Sequence, residues 1–259
     1  MSPSARTPAP ALSVILPAFN EQDGVVPTLT ALTRVLHAAE LPSEIIVVSD
    51  GSTDQTVDRA RAFASQNSAV RIIEYFPNRG KGHALRVGST AAQGAWIAWL
   101  DADLDLDPAA LPAMLDFACT QGLDALIGSK RHPQSVVDYP LSRRVGSRLY
   151  QGLNRALFAL DVTDTQVGLK MFRREVLETA LPRVFVKRYA FDLEVLAVAN
   201  AYGFRSMSEY PVVLTYRFSG SGMNWTAISR ALWDTAAVFY RLRIRRSYGA
   251  APRRRSDAT

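Results

Sequence analysis

The stretch Trp96-Ile-Ala-Trp-Leu-Asp-Ala-Asp103 decides the reading of this chain. Five apolar residues suit a strand buried on both faces, and two carboxylates one residue apart follow at once. In extended chain, residues i and i+2 point to the same side, so Asp101 and Asp103 can converge. Two carboxylates leaving a buried strand together repel each other unless a cation or ligand lies between them. A hard divalent ion, Mg2+ or Mn2+, bridging to a diphosphate meets that need. The plainer reading is an acidic turn leading into a helix, since Asp105 and Asp107 continue the run and Asp107-Pro108 suits a helix start.

Working outward, apolar runs at Leu12–Pro17, Glu44–Val48 and Val70–Glu74 read as three more strands. Helical spacing separates them: Val25, Leu29, Leu32 and Leu36 within Gly24–Glu40, then Asp54–Gln66 and His83–Gln93. A helix from Asp107 and a fifth strand at Asp124–Gly128 complete the alternation. Strand and helix in turn predict an α/β fold, a mostly parallel sheet flanked by helices. Beyond residue 130 the spacing predicts a helix through Val145, Leu149, Leu153 and Leu157, a helix over Phe191–Tyr202, a strand over Glu209–Leu214 and an amphipathic helix over Trp225–Ile244. The organisation expected is a disordered lead (1–10), a single domain (11–222), an amphipathic helix (223–246) and a disordered basic tail (247–259).

Ligands of open α/β sheets bind just past the carboxyl ends of the strands. This chain gathers polar residues there: Asn20 and Glu21, Asp50, Asn78 to Lys81, Asp101 and Asp103, then Lys130 and Arg131. Asp50, followed by Gly51-Ser52-Thr53, is either an ordinary Asx turn or an acceptor for a base or ribose hydrogen. Asn78-Arg-Gly-Lys-Gly82 suggests backbone approach to phosphate, though it matches neither a Walker loop nor Gly-x-Gly-x-x-Gly. Lys130, Arg131, Arg143, Arg144 and Arg148 form a basic set. It is a solvated surface or a seat for a phosphate-bearing acceptor, whose oxygens match arginine forks.

Composition narrows the rest. One cysteine, Cys119, excludes an intrachain disulfide, and the three histidines share no metal-binding spacing. The net charge of +6 comes from the end of the chain: Arg241 to Arg255 holds seven arginines, leaving 23 basic against 23 acidic residues in 1–240. A nucleic-acid reader spreads positive charge over a folded face; a terminal arginine cluster beside an apolar helix suits an anionic membrane. No apolar run approaches the roughly 20 residues that span a bilayer, and the first ten residues lack a signal-peptide core. The expectation is a cytoplasmic protein, peripheral on the cytosolic face of a membrane, with no nucleic-acid partner.

Taken together, Val14-Ile-Leu-Pro-Ala-Phe-Asn-Glu21, Glu44-Ile-Ile-Val-Val-Ser-Asp-Gly-Ser-Thr-Asp54, Asn78-Arg-Gly-Lys-Gly-His-Ala-Leu85 and Asp101-Ala-Asp103 resemble glycosyltransferase family 2. Asp164-Thr-Gln-Val-Gly-Leu-Lys-Met-Phe172 and Ala190-Phe-Asp-Leu-Glu194 are similar to segments of its dolichyl-phosphate β-glucosyltransferases and bacterial polyprenyl-phosphate relatives. The resemblance covers about residues 11–220 and implies a GT-A fold. It implies that Pro17, Phe19, Glu21 and Asp50 hold the nucleotide base, that Asp101 lies on the ribose or base side, and that Asp103 holds the metal, Mg2+ or Mn2+. Lys81 would sit near the donor, and Asp164, Gln166 and Lys170 would line the sugar or acceptor side. Lys130 and Arg131, with Arg143 and Arg144, would face the acceptor phosphate, and Asp192 or Glu194 could orient the acceptor.

The activity implied is inverting transfer of a hexose from a nucleotide sugar, UDP-glucose first, to a polyprenyl phosphate. GDP-mannose as donor, another acceptor, and a non-catalytic nucleotide-sugar sensor are the alternatives. The acceptor phosphate, with a second pKa near 6, is already largely dianionic at pH 7 and needs no strong base. Two features depart from the family. Ser49 stands where the first of two aspartates is usual, and no N-terminal transmembrane helix is present, unlike the eukaryotic members. Membrane contact would then fall to the C-terminal helix, where Trp225, Ile228, Leu232, Trp233, Ala236 and Phe239 have helical spacing. Whether that stripe packs on the core or on lipid stays open.

Overall fold

The computed structural model describes residues 9–137, 157, 158, 160, 162, 164–186, 190–214, 233–245 and 248. The first half alternates as the spacing predicts: β1 (Leu12–Ala18), α1 (Val25–Ala38), β2 (Ser43–Asp50), α2 (Thr56–Ala64), β3 (Val70–Tyr75), α3 (Lys81–Ala91), β4 (Trp96–Trp99), α4 (Leu111–Thr120) and β5 (Ala125–Ser129). Val25, Leu29, Leu32 and Leu36 are the buried face of α1. Helix α3 starts two residues before its expected position, because Gly80, with φ of 95°, makes the turn into it. One turn of 3-10 helix (Pro108–Ala110) precedes α4, with Asp107 accepting from the Ala109 amide.

The main sheet has the order β3-β2-β1-β4-β7-β5-β8. Strands β2 and β3 lie to one side of β1 and β4 to the other, with all these pairs parallel. The strand order therefore reverses between β1 and β4, and the loops leaving their carboxyl ends part to open a crevice.

Two elements differ from the sequence reading. Strand β7 (Lys170–Arg173) runs antiparallel between β4 and β5, pairing Trp99 with Lys170 and Ile127 with Lys170. Four residues are too few for a periodicity to show. The single strand expected over Glu209–Leu214 is two: β8 (Met207–Pro211) on the sheet edge beside β5, and β9 (Val213–Leu214), which pairs with β6 (Val136–Val137). The break falls where Pro211 lacks an amide and the Val212 amide turns away to Ser135 Oγ. Helices α5 (Arg174–Ala180) and α6 (Phe191–Ala201) cover the second half, α5 being absent from the sequence reading.

Trp99 centres the core behind the crevice. Its ring lies 4.7 Å from Phe172 and 5.7 Å from Phe191, and its Nε1 donates to Ser89 Oγ at 2.9 Å. At the opposite, amino-terminal edge, the buried Glu44 carboxylate is fully engaged. It accepts from Ser13 Oγ, the Gln93 amide and Arg71, which hold its pKa below the ordinary value despite burial.

Near the C-terminus, 233–239 are helical and Tyr240–Ile244 form one π turn. The core-facing residues are Thr235 and Val238, with Phe239 and Leu242 half-buried. The apolar stripe read from the sequence is thus split: Phe239 packs toward Phe158, whereas Trp233 is 78% exposed and Ala236 also faces out. Trp225, Ile228 and Leu232 lie outside the described residues, as does the helix expected near 145–156. Arg241 turns inward to Glu194 at 2.9 Å and so leaves the basic cluster. Glu194, fully buried on α6, also accepts from the Phe185 and Val186 amides and from Tyr248 Oη. It is saturated and faces no ligand, contrary to an acceptor-orienting role. Among the described residues no helix is long and apolar enough to cross a membrane.

Helix α3 lies against β1 and β2 at Gly88, where an added Cβ would meet Ile15 Cγ2 and lie 2.9 Å from Val48 Cγ2. Gly88→Val is expected to cost about 1–3 kcal/mol by overpacking, read as a lowered urea midpoint with unchanged m-value.

Candidate active site

The crevice between the carboxyl ends of β1 and β4 is a cleft of about 380 Å³. Pro17, Phe19, Glu21, Asp50, Lys81, Asp101 and Asp103 all line it, together with Ala18, Asn78, Gly80 and Ala102. Each reaches it by a local device.

Asp50, at the end of β2, is 3% exposed and accepts from the Arg79 amide at 2.7 Å and the Gly80 amide at 2.8 Å. Both carboxylate oxygens therefore shape the 78–80 loop, and each keeps a further acceptor position while Asp50 lines the cleft. Gly51, with φ of 72°, lets β2 end against the loop: a Cβ there would sit 2.6 Å from the Asn78 nitrogen. Ser49, where the family pattern has aspartate, bonds its hydroxyl to Ser52 Oγ at 3.0 Å beneath the same turn. The loop after β1 is tied to the one after β2. Asn20, with φ of 55°, accepts from the Thr53 amide at 2.9 Å, and the Glu21 amide donates to Thr56 Oγ1 at 2.8 Å.

The two aspartates after β4 both line the cleft, as expected, but Ala102 and Asp103 form a turn and not extended chain. Lys81 forms an ion pair with Asp101 Oδ1. Behind Asp101 stands Gly168, where a Cβ would collide with the carboxylate. Asp103 Oδ1 accepts from the Asp105 amide at 3.0 Å across Leu104, a leucine in the left-handed region at φ of 58°. Thr28 Oγ1, on α1, donates to the Ala102 carbonyl at 2.8 Å and pins the backbone between the aspartates. Thr28 and Gly168 were not singled out in the sequence. Thr28 sits in an ordinary helical pattern, and Gly168 gave a signal only as part of a longer motif.

The cleft encloses several like charges. Burial, then Asp103 and Asp101, raise the pKa of Glu21; burial, then Asp101 and Asp105, raise that of Asp103 against relief from the Asp105 amide and Lys81. Enclosure works against the Lys81 charge, but Asp101, Asp192 and Asp103 outweigh it and raise its pKa. No three His, Cys, Asp or Glu side chains converge as a complete metal shell among the described residues. Asp101 and Asp103 would supply a partial one, which suits a divalent ion that takes its other ligands from phosphate and water.

A family model described as glycosyl transferase family 2 matches residues 13–181, a span that contains every residue lining the cleft. The chain belongs to glycosyl transferase family 2. Glycosyltransferase AglD of Haloferax volcanii is 34% identical over 219 residues, covering 81% of this chain and 35% of that protein. Dolichyl-phosphate beta-glucosyltransferase of Drosophila melanogaster is 33% identical over 209 residues, covering 75% of this chain and 64% of that protein. The chain thus spans from about a third to just under two thirds of these relatives. Glucosyl-3-phosphoglycerate synthase from Mycobacterium tuberculosis, solved with Mn2+, UDP and glucosyl-3-phosphoglycerate, superposes with a TM-score of 0.65 at 21% identity, over 94% of this chain and 81% of that one. At that identity the likeness is one of fold, and the fold is GT-A.

The remaining site residues of this family 2 chain stand outside the donor cleft. Lys170 is 1% exposed, its ammonium held by the Val167 carbonyl and by Asp192 Oδ1 at 2.8 Å, so it presents no cation to an acceptor. Asp192 thereby faces Lys170 and also acts on Lys81. Asp164 is buried, accepting from the Lys130 amide at 3.1 Å, while its own amide donates to Glu209. Lys130 is half-buried, and Arg131 and Gln166 are exposed. Lys130 and Arg131 follow β5, parallel to β4 two strands away, and so share the sheet edge of the cleft. Arg143 and Arg144 lie outside the described residues.

Because the pKa values of Glu21 and Asp103 are raised, the folded chain holds those protons more tightly than the unfolded one. The ligand-free protein should lose stability as pH climbs from the ordinary carboxylate values, 4.5 and 3.8, through the raised ones. Asp103→Asn removes part of that repulsion. It is expected to raise Tm by about 1–2 °C without ligand at pH 7 and to abolish the added stabilisation by Mn2+ with UDP, both read by calorimetry.

Proposed function

We propose that this chain transfers a hexose, glucose from UDP-glucose before others, onto the phosphate of a polyprenyl lipid, at the cytosolic face of a membrane. The observation that carries the reading is the single cleft at the β1–β4 switch point that gathers Phe19, Glu21, Lys81, Asp101 and Asp103. Phe19, 48% exposed at its rim, offers a ring face to a base. Asp50 holds the 78–80 loop and with it the start of α3, where the helix N-terminus and Lys81 favour a diphosphate. Asp103, with Asp101 beside it, would hold Mg2+ or Mn2+. When bound, that ion would neutralise charge on the departing diphosphate.

The acceptor phosphate oxygen forms the new bond to the anomeric carbon as the carbon–oxygen bond to the diphosphate breaks, so one displacement inverts the centre. A dianionic phosphate needs no proton removed, which agrees with a cleft lined by carboxylates and one lysine but no histidine. Lys130 and Arg131, on the same sheet edge, are the described cations that would offset repulsion between acceptor and donor. The relatives named for dolichyl phosphate support the acceptor class.

Membrane contact is assigned to the outward face of the C-terminal helix. Trp233, Tyr240 and Ile244, spaced seven and four residues apart, are exposed, and so are Arg243 and Arg245. An aromatic and apolar stripe flanked by arginines suits the boundary of an anionic bilayer.

Incubation with labelled UDP-glucose or GDP-mannose, Mn2+ and polyprenyl phosphate tests the reaction. Label from UDP-glucose should enter an organic-extractable product. Label from GDP-mannose alone would move the reading to mannosyl transfer, and nucleotide binding without turnover would leave a sensor. In flotation with anionic vesicles, Arg243→Glu with Arg245→Glu should weaken binding roughly tenfold or more, at about 1 kcal/mol per arginine, without lowering Tm. Unchanged flotation would remove this surface from the proposal.

A further inference from the structure

The cleft already contains a cation of its own. Of the charged side chains lining it, Glu21, Asp50, Asp101 and Asp103 are acidic, and Lys81 is the single base among the described residues. Its ammonium pairs with Asp101 Oδ1 and feels the charges of Asp192 and Asp103. Asp101 has little room to retreat from it, since Gly168 fills the space behind its other oxygen.

The root of Lys81 is fixed, and its tip is held by Asp101 at the end of a flexible stem. Gly80 is held by Asp50 and starts α3, whereas the Lys81 side chain is 45% exposed on a flexible stem. Lys170 cannot take its place, because the Val167 carbonyl and Asp192 enclose that ammonium. A divalent ion arriving alone at Asp101 and Asp103 therefore meets an ammonium already seated beside them. Arriving with a diphosphate, it brings the ammonium another anionic partner, at the mouth of the helix that carries Lys81.

We propose that Lys81 is the resident counter-ion of the empty cleft, and that it yields Asp101 to the divalent cation only when the donor's diphosphate draws the ammonium away. Cation and diphosphate then bind as a coupled pair, each tightening the other by the same factor. This inference rests on the donor site of the proposed function and not on the sugar, the acceptor or the membrane.

The test is Mn2+ binding, followed through the paramagnetic resonance signal of the free ion, to the intact chain without nucleotide and then with saturating UDP. The wild-type chain should bind Mn2+ weakly alone and about tenfold or more tightly with UDP. In Lys81→Met, and in Lys81→Gln run beside it, Mn2+ alone should bind about tenfold tighter, and the UDP-dependent gain should shrink. Arg79→Met is the control. Its guanidinium sits 5.8 Å over the Tyr75 ring and removes an equal charge two residues away. An equal rise in Arg79→Met would make the effect a general field and overturn the proposal. So would unchanged or weaker Mn2+ binding in both Lys81 variants. If neither Mn2+ nor UDP binds the wild-type chain, the donor reading itself fails.

Discussion

The enclosure of several carboxylates together at one edge of the sheet is the constraint on which the rest of this structure turns. Glu21, Asp101 and Asp103 come from the ends of β1 and β4, two neighbouring strands, and all face one cleft. Glu44, at the other edge, shows what the fold does with a carboxylate meant only to support structure. It is supplied with a serine, a backbone amide and an arginine, and its pKa falls. Glu21 and Asp103 are given no such set, and their pKa values rise. The cleft is left unstable toward its own charge, and a cation-bound diphosphate is the kind of ligand that relieves it.

Much of the scaffold serves to keep that arrangement from relaxing. Thr28 and Gly168 fix the aspartate segment from α1 and from the loop leading into β7, while Asp50 fixes the start of α3. These contacts join elements far apart in the chain, so the site depends on the completed sheet and not on any one loop. Leu104 in a left-handed conformation beside Asp103 is the local strain that accompanies this rigidity.

The first half of the fold was legible because its strands are long, apolar and separated by helices with clear spacing. The donor side of the site was legible for the same reason: its residues follow those strands directly. The bonds from Asp50 to two backbone amides were not legible, since no spacing tells that a carboxylate will hold a loop 29 and 30 positions on. Strand β7 was too short to announce itself, and the split at Pro211 depended on Ser135 capturing one amide. Lys170 looked like a binding lysine, although its partner Asp192 lies 22 positions on and only the fold brings them together. Of the C-terminal stripe, Trp233, Ala236 and Phe239 are described, and spacing alone did not tell which face packs: that face is set by Thr235 and Val238, one of them polar.

The engagement of Glu194 by Arg241 and Tyr248 bears on how the boundary of the catalytic unit should be drawn. From the sequence, the chain past residue 222 reads as a helix and a tail outside the single domain. A chain shortened there would take Arg241 and Tyr248 from a carboxylate buried in the first turn of α6, a defect on the order of 3–5 kcal/mol when a buried pair loses one partner. Arg241 is in this respect part of the interior, and removing it would injure the body it helps to close.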